Sequence, residues 1–188
     1  MNSLEKIYQF TLVLKNVDEN TPNLEDSLYE AGCDDALINF RNGTVYLDFD
    51  RKAASLQNAI MSAIKDVESG SIGAKVIHVA PENLVTEADI ANRLSFKRQT
   101  VSLWIQGKRR DIIPFPKPVM KLSGKSPLWK WTDIVKWLYE TRLISEQERV
   151  ADAAFIENVN VVLEERDPET RENREKLWKE FEEMAHAY

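Results

Sequence analysis

The chain has 188 residues, 43% of them hydrophobic, and its 25 Lys/Arg against 31 Asp/Glu give a formal net charge of -6. That length holds one full domain or two small ones, with enough apolar content for a packed core. One cysteine, Cys33, excludes an internal disulfide and any CxxC zinc spacing; neither His78 nor His186 has a second soft ligand nearby, so no metal or cofactor is expected.

The N-terminal MNSLEKIYQF lacks a long apolar run, and no stretch approaches the roughly 18 consecutive apolar residues of a membrane span. The expectation is a cytoplasmic protein with neither a secretory signal nor a membrane segment. Residues 8–14 (YQFTLVL) alternate as a strand does. Pro22 precedes a short helix over 26–30 that Gly32 stops. Residues 36–41 and 44–49 flank Asn42-Gly43, which supplies the two positive-φ positions of a type I′ hairpin. Residues 53–68 place Leu56, Ala59, Ile60, Ala63, Ile64 and Val67 on one helical face, and KVIHV (75–79) closes the segment as a strand.

The order β-α-β-β-α-β predicts an α+β domain over residues 1–82 of the ferredoxin-like split βαβ type. Within its hairpin, Val45, Leu47 and Phe49 share one side, Tyr46, Asp48 and Asp50 the other. Sheets of this kind bind RNA through exposed aromatics, a role open to Tyr46. Asp48 and Asp50 would repel phosphate there, so a protein partner on this sheet is the better expectation. His78 reads as a strand histidine and Cys33 as a small buried residue. Asp34, Asp35 and Asp48 have no positioned partner in the sequence, and GSIG (70–73) reads as a turn, so the chain is not expected to be an enzyme.

Charge is unevenly distributed. Residues 93–130 hold ten Lys/Arg (Arg93, Lys97, Arg98, Lys108, Arg109, Arg110, Lys117, Lys121, Lys125, Lys130) against the single acid Asp111, while the rest of the chain carries -15. A basic block in an acidic chain is an electrostatic footprint for a polyanion. Ahead of it, Thr86 with Asp89 has capping-box spacing, and Ile90, Ala91 and Leu94 make the apolar face of a short helix. After a turn at 95–97, a second helix runs from Arg98 to about Gln106 and ends at Gly107. Val101, Trp104 and Ile105 point inward, leaving Arg98, Gln99, Ser102 and Thr100 outward. That is what reading the major groove requires: Arg98 matches guanine O6 and N7, Gln99 matches adenine N6 and N7, and Thr100 and Ser102 are short enough for close approach. Lys97, Lys108, Arg109 and Arg110 suit the phosphate backbone. Pro114, Pro116 and Pro118 prevent a central strand. Residues 119–122 and 128–131 then predict a two-stranded wing lined by Lys117, Lys121 and Lys125, followed by a helix capped at Thr132. At least one of Trp129 and Trp131 is expected to pack beneath that wing.

DIANRLSFKRQTVSLWIQGKRR resembles the helix-turn-helix of MerR-like and prophage excisionase-like DNA-binding proteins, and FPKPVMKLSGKSPLWKWTDIVKWL resembles their wing and third helix. The resemblance covers about residues 84–139, and departs at Lys97, where such motifs commonly have a serine cap. It implies a winged helix-turn-helix domain over 83–140 with Arg98, Gln99 and Ser102 toward the major groove and residues 117–125 toward the backbone. It also implies a repressor, a mobile-element regulator or a recombination accessory.

Ser145 starts a further helix whose expected stripe is Val150, Ala151, Ala154, Phe155, Asn158, Val159 and Val162. Asp167-Pro168 interrupts it, and a last helix carries only Leu177, Trp178, Phe181 and Met184 as large apolar groups. Residues 141–188 therefore read as a helical docking or dimerisation segment. Two-fold pairing would double the contacts of a short DNA reader on a palindromic site. The sequence expectation is a dimeric, sequence-specific double-stranded DNA-binding regulator. The alternative is an adaptor or antitoxin-type interaction protein that uses the winged segment structurally.

Overall fold

The computed structural model describes residues 5–108 and 113–186, and its chain is an α+β protein. It divides into two compact units, Met1–Val79 with Asn158–Tyr188, and Ala80–Glu157. Residues 141–188, taken from the sequence as one docking segment, are thus shared between the units. Among the described residues no helix is long and apolar enough to cross a membrane.

The first unit contains β1 (Lys6–Lys15), α1 (Leu24–Glu30), β2 (Ala36–Arg41), β3 (Thr44–Ala53), α2 (Leu56–Ser69) and most of β4 (Lys75–Ala80). Its four strands are ordered β2-β3-β1-β4, with β3 antiparallel to both β1 and β2. Two-residue alternation sends Phe10, Leu12, Leu14, Val45, Leu47 and Phe49 to the buried face. There they join Leu24 and Leu28 of α1 and the Ala59, Ile60, Ala63, Ile64 and Val67 stripe of α2. Phe10 and Phe49 are register partners, and their rings stack 5.2 Å apart. The turn at Asn42-Gly43 has positive φ at both residues (52° and 80°), as its tight geometry requires.

The opposite sheet face carries a bonded polar patch beside exposed Ile7 and Leu37. Asp48 accepts hydrogen bonds from Thr11 (2.6 Å) and Asn39 (2.9 Å), and Asp50 from Gln9 (2.8 Å). Asp48 is therefore not the unpartnered surface charge that the sequence suggested.

Nor is Asp35, because the buried face holds one charge, Arg51, at 7% exposure. Its Nε and Nη2 donate to the two oxygens of Asp35 at 2.9 Å each, and Nη2 also donates to Gly32 O at 2.7 Å. Nη1 donates to Asp66 at 2.6 Å and to Ser62 at 3.2 Å. All five guanidinium N–H groups are thereby used. Burial opposes the charge, but the hydrogen bonds and charges of Asp35 and Asp66 outweigh it and push the Arg51 pKa up. Cys33 lies beside this network; burial dominates its surroundings and pushes its thiol up to about 11, against the counteracting charge of Arg51.

The two sheet edges differ. On the β4 edge, the Asn160 side chain pairs with Val79 as a neighbouring strand would. Val79 N–H donates to Asn160 Oδ1 at 2.7 Å, and Asn160 Nδ2 donates to Val79 O at 2.8 Å. Glu68 accepts from Val76 N–H at 3.1 Å. Side chains thus occupy an edge that would otherwise recruit another strand. Asn160 stands on α6 (Gln147–Glu164), whose buried residues are Ala153, Ile156 and Leu163. The stripe expected from sequence is corrected accordingly: Ala151, Ala154, Asn158 and Val162 are exposed.

Candidate nucleic-acid interface

The second unit is built on a small core of Val85, Ile90, Ala91, Val101, Trp104, Trp129, Ile134, Trp137 and Leu138. Helix α3 (Glu87–Arg93) supplies Ile90 and Ala91, and α4 (Arg98–Ile105) supplies Val101 and Trp104. Helix α5 (Trp131–Glu140) supplies Ile134, Trp137 and Leu138. Trp104 is the centre of an aromatic cluster, with its ring 5.3 Å from Phe96, 5.3 Å from Trp137 and 6.3 Å from Phe115.

Helix α3 begins on a reciprocal cap. Thr86 Oγ1 accepts from Asp89 N–H at 3.2 Å, while Asp89 Oδ2 accepts from the Thr86 N–H at 2.9 Å and hydroxyl at 2.7 Å. The hydrogen bonds from Thr86 hold the Asp89 carboxyl below the usual aspartate range. A carboxyl whose pKa is lowered on folding contributes stability that is complete above its unfolded-state pKa and is lost as pH falls through the folded one. Thr86→Ala is therefore expected to cost about 1 kcal/mol at pH 7. In urea unfolding followed by tryptophan fluorescence, its difference from wild type should shrink as pH falls below about 4.

Helix α3 closes through Ser95, at φ 55°, with N–H groups of Ser95 and Phe96 donating to Asn92 O and Ala91 O. Helix α4 closes the same way at Gly107, φ 64°, with Gly107 and Lys108 N–H donating to Trp104 O and Leu103 O. These two closures fix the length of α4 and the turn before it. Lys97 sits at the start of α4 without a side-chain cap bond, so the first N–H groups of the helix have no local side-chain acceptor.

Gln99 and Arg98 are exposed, whereas Thr100 and Ser102 are half-buried. The Ser102 hydroxyl accepts from Gln106 Nε2 at 3.0 Å. Arg98 is engaged too: its Nε lies 3.6 Å from Glu87 Oε1. Glu87, which the sequence reading left out, stands 11 residues back on α3, where only the fold brings it near. The exposed lysines Lys97, Lys108, Lys117, Lys121 and Lys125 make no ion pair among the described residues. Arg109 and Arg110 lie outside the described residues.

Two other members of the basic block are held by carboxylates. Lys130 donates to Glu157 at 2.9 Å, which pushes its pKa up. Arg93 lies 3.8 Å from Glu82 and stacks over Trp131 at 5.1 Å; burial of its guanidinium outweighs the acid and lowers its pKa.

The expected two-stranded wing over 119–122 and 128–131 is much reduced. One bridge, Met120 with Leu128, closes a hairpin whose tip carries Lys121 and Lys125. The chain then turns away: β6 (Trp129–Lys130) pairs with β5 (Leu84–Val85), and Trp131 already begins α5. The cause is the core. Trp129 is 2% exposed and donates from Nε1 to Pro116 O at 3.0 Å, and Trp137 Nε1 donates to Ile113 O at 3.0 Å. Two indoles thus pin the proline-rich run, whose prolines cannot donate to a ladder. Nor does Thr132 cap α5 with its side chain. Lys130 is the N-cap, and Asn83 serves the helix start, accepting from Thr132 N–H with Oδ1 (3.0 Å) and from Trp131 N–H with its carbonyl (2.6 Å).

Among the described residues no group of three or more His, Cys, Asp or Glu is arranged to hold a metal ion. No family model matches the chain, and no curated protein or solved structure matches it.

Proposed function

We propose that the second unit is a winged helix-turn-helix that reads double-stranded DNA, working in the cytoplasm as a dimeric regulator of transcription or of a mobile element. The observation that carries this reading is the outward start of α4. Gln99 and Arg98 project over a buried Val101–Trp104 side, with five exposed lysines, unpaired among the described residues, in the same unit of an acidic protein. In this reading Gln99 and Arg98 meet base edges, Thr100 and Ser102 line the close approach, and the lysines meet phosphates. For the first unit, the strand order β2-β3-β1-β4 supports a ferredoxin-like reading, as a scaffold whose open sheet face, with Asp48 and Asp50 beside exposed Ile7 and Leu37, suits a protein partner better than RNA.

Random-site selection on duplex DNA, followed by anisotropy titration of the full chain, tests the proposal. Binding should be micromolar or tighter near 0.1 M salt, with log K falling by about 4 to 5 per decade of salt if each of the five lysines meets one phosphate. Absence of micromolar binding, or affinity indifferent to salt, would sink it. A non-enzymatic adaptor or antitoxin-type protein is the second reading. What favours it is the Arg98–Glu87 pair, because a guanidinium held by a carboxylate must be released before it can meet guanine.

A further inference from the structure

Helix α7 (Pro168–His186) runs 19 residues and buries none of its side chains. Its start is well determined. Asp167 Oδ2 accepts from the Thr170 N–H at 3.0 Å and hydroxyl at 2.7 Å, and Arg174 bonds Glu164 and Glu165 at the end of α6. Beyond that anchor its large apolar side chains lie in the open: Leu177 is 52%, Trp178 68%, Phe181 62% and Met184 53% exposed. The spacing i, i+1, i+4, i+7 puts all four on one stripe. In proteins most helical stability comes from packing an apolar face against a partner surface.

The charge pattern along α7 says what covers it. Residues 168–179 contain all four of its Lys/Arg (Arg171, Arg174, Lys176, Lys179) with three glutamates, whereas residues 180–186 contain Glu180, Glu182 and Glu183 and no Lys/Arg. A parallel neighbour of the same sequence would set the two acidic ends side by side. An antiparallel one sets each acidic end against the turn of the other that carries Lys176 and Lys179, and opposes the helix dipoles. The apolar stripe runs from Leu177 to Met184 and is centred between Glu180 and Phe181, so a two-fold there lays the stripe on itself, which is what an isologous contact requires.

We propose that α7 pairs with α7 of a second copy of this chain, antiparallel across a two-fold axis between Glu180 and Phe181, and that Leu177, Trp178, Phe181 and Met184 form the mutual seam. The pairing is independent of the DNA-binding reading and would supply the dimer that reading uses.

Sedimentation equilibrium of the full chain without DNA tests it. Wild type should follow a monomer–dimer equilibrium between 1 and 100 µM, on the order expected for a short two-helix seam. The double variant Trp178→Glu, Phe181→Glu, changed only at exposed positions, should weaken association at least about a hundredfold while keeping its far-UV circular dichroism. Orientation is read by a nitroxide at position 169 (Glu169→Cys), with Cys33 buried and left unlabelled. At a rise of 1.5 Å per residue, the two labels should lie about 35 Å apart in the antiparallel pair and roughly 10–15 Å apart in a parallel one. Wild type remaining monomeric at 100 µM, the double variant associating like wild type, or a short label distance would each overturn the proposal.

Discussion

Replacing Arg51 by Met should destabilise the first unit by about 3 kcal/mol, a large share of the total stability of a domain this size. The guanidinium spends all five donors on Asp35, Asp66, Ser62 and Gly32 O, and lies 4.9 Å over the Phe49 ring. Methionine fills comparable volume but donates nothing. It leaves two carboxylates that faced one cation, together with an unpaired carbonyl, at a site closed on its core side. The figure sits at the low end for a broken buried pair because the Asp35 and Asp66 side chains keep 29% of their exposure.

Cys33 supplies the readout. Its thiol is buried and its pKa is pushed up to about 11, so alkylation at pH 8 waits for opening of the unit. A 3 kcal/mol loss corresponds to labelling roughly a hundredfold faster. Adding Asp35→Asn and Asp66→Asn to the Met variant should recover part of the loss, since it removes the stranded charges. Labelling of Arg51→Met at the wild-type rate would show that the network contributes little.

On the proposed DNA-reading function, changing Lys117, Lys121 and Lys125 together to Gln should flatten the salt dependence of binding, lowering the slope of log K against log salt by about 3. Affinity should fall for all duplexes alike. All three side chains are exposed without an ion pair among the described residues, and Lys121 and Lys125 sit at the tip of the hairpin that Met120 and Leu128 close. Their removal breaks no contact of the fold, so a loss of binding reports on phosphate and not on stability. Gln99→Ala is the contrasting change, expected to relax preference among sites at little cost in salt slope. An unchanged slope in the triple variant would place the hairpin away from any phosphate.

Much of the fold was legible locally. The strands of the first unit, the Asn42-Gly43 turn, the α2 stripe, the Thr86–Asp89 cap and the stop at Gly107 depend on residues within a few positions of each other. The side chains of Thr86 and Asp89 meet whatever the rest of the chain does. The basic block was visible as composition, but composition could not separate the five lysines that have no carboxylate among the described residues from Arg93, Arg98 and Lys130, which have one. The α6 stripe was misread for a related reason: Asn160 looks outward-facing by type, yet it pairs with Val79 through two hydrogen bonds.

By itself, then, the sequence determined the helices, the strands and tight turn of the first unit, and where positive charge gathers, because backbone preference and side-chain periodicity act over one or two turns of chain. Tertiary structure alone decided which charges are neutralised. It joined Arg51 to Asp35 and Asp66, Arg98 to Glu87 and Lys130 to Glu157, and drew Trp129 into a core instead of a longer wing. Partners 11 to 27 residues apart meet only when packing brings them within bonding distance, and no local pattern encodes that encounter.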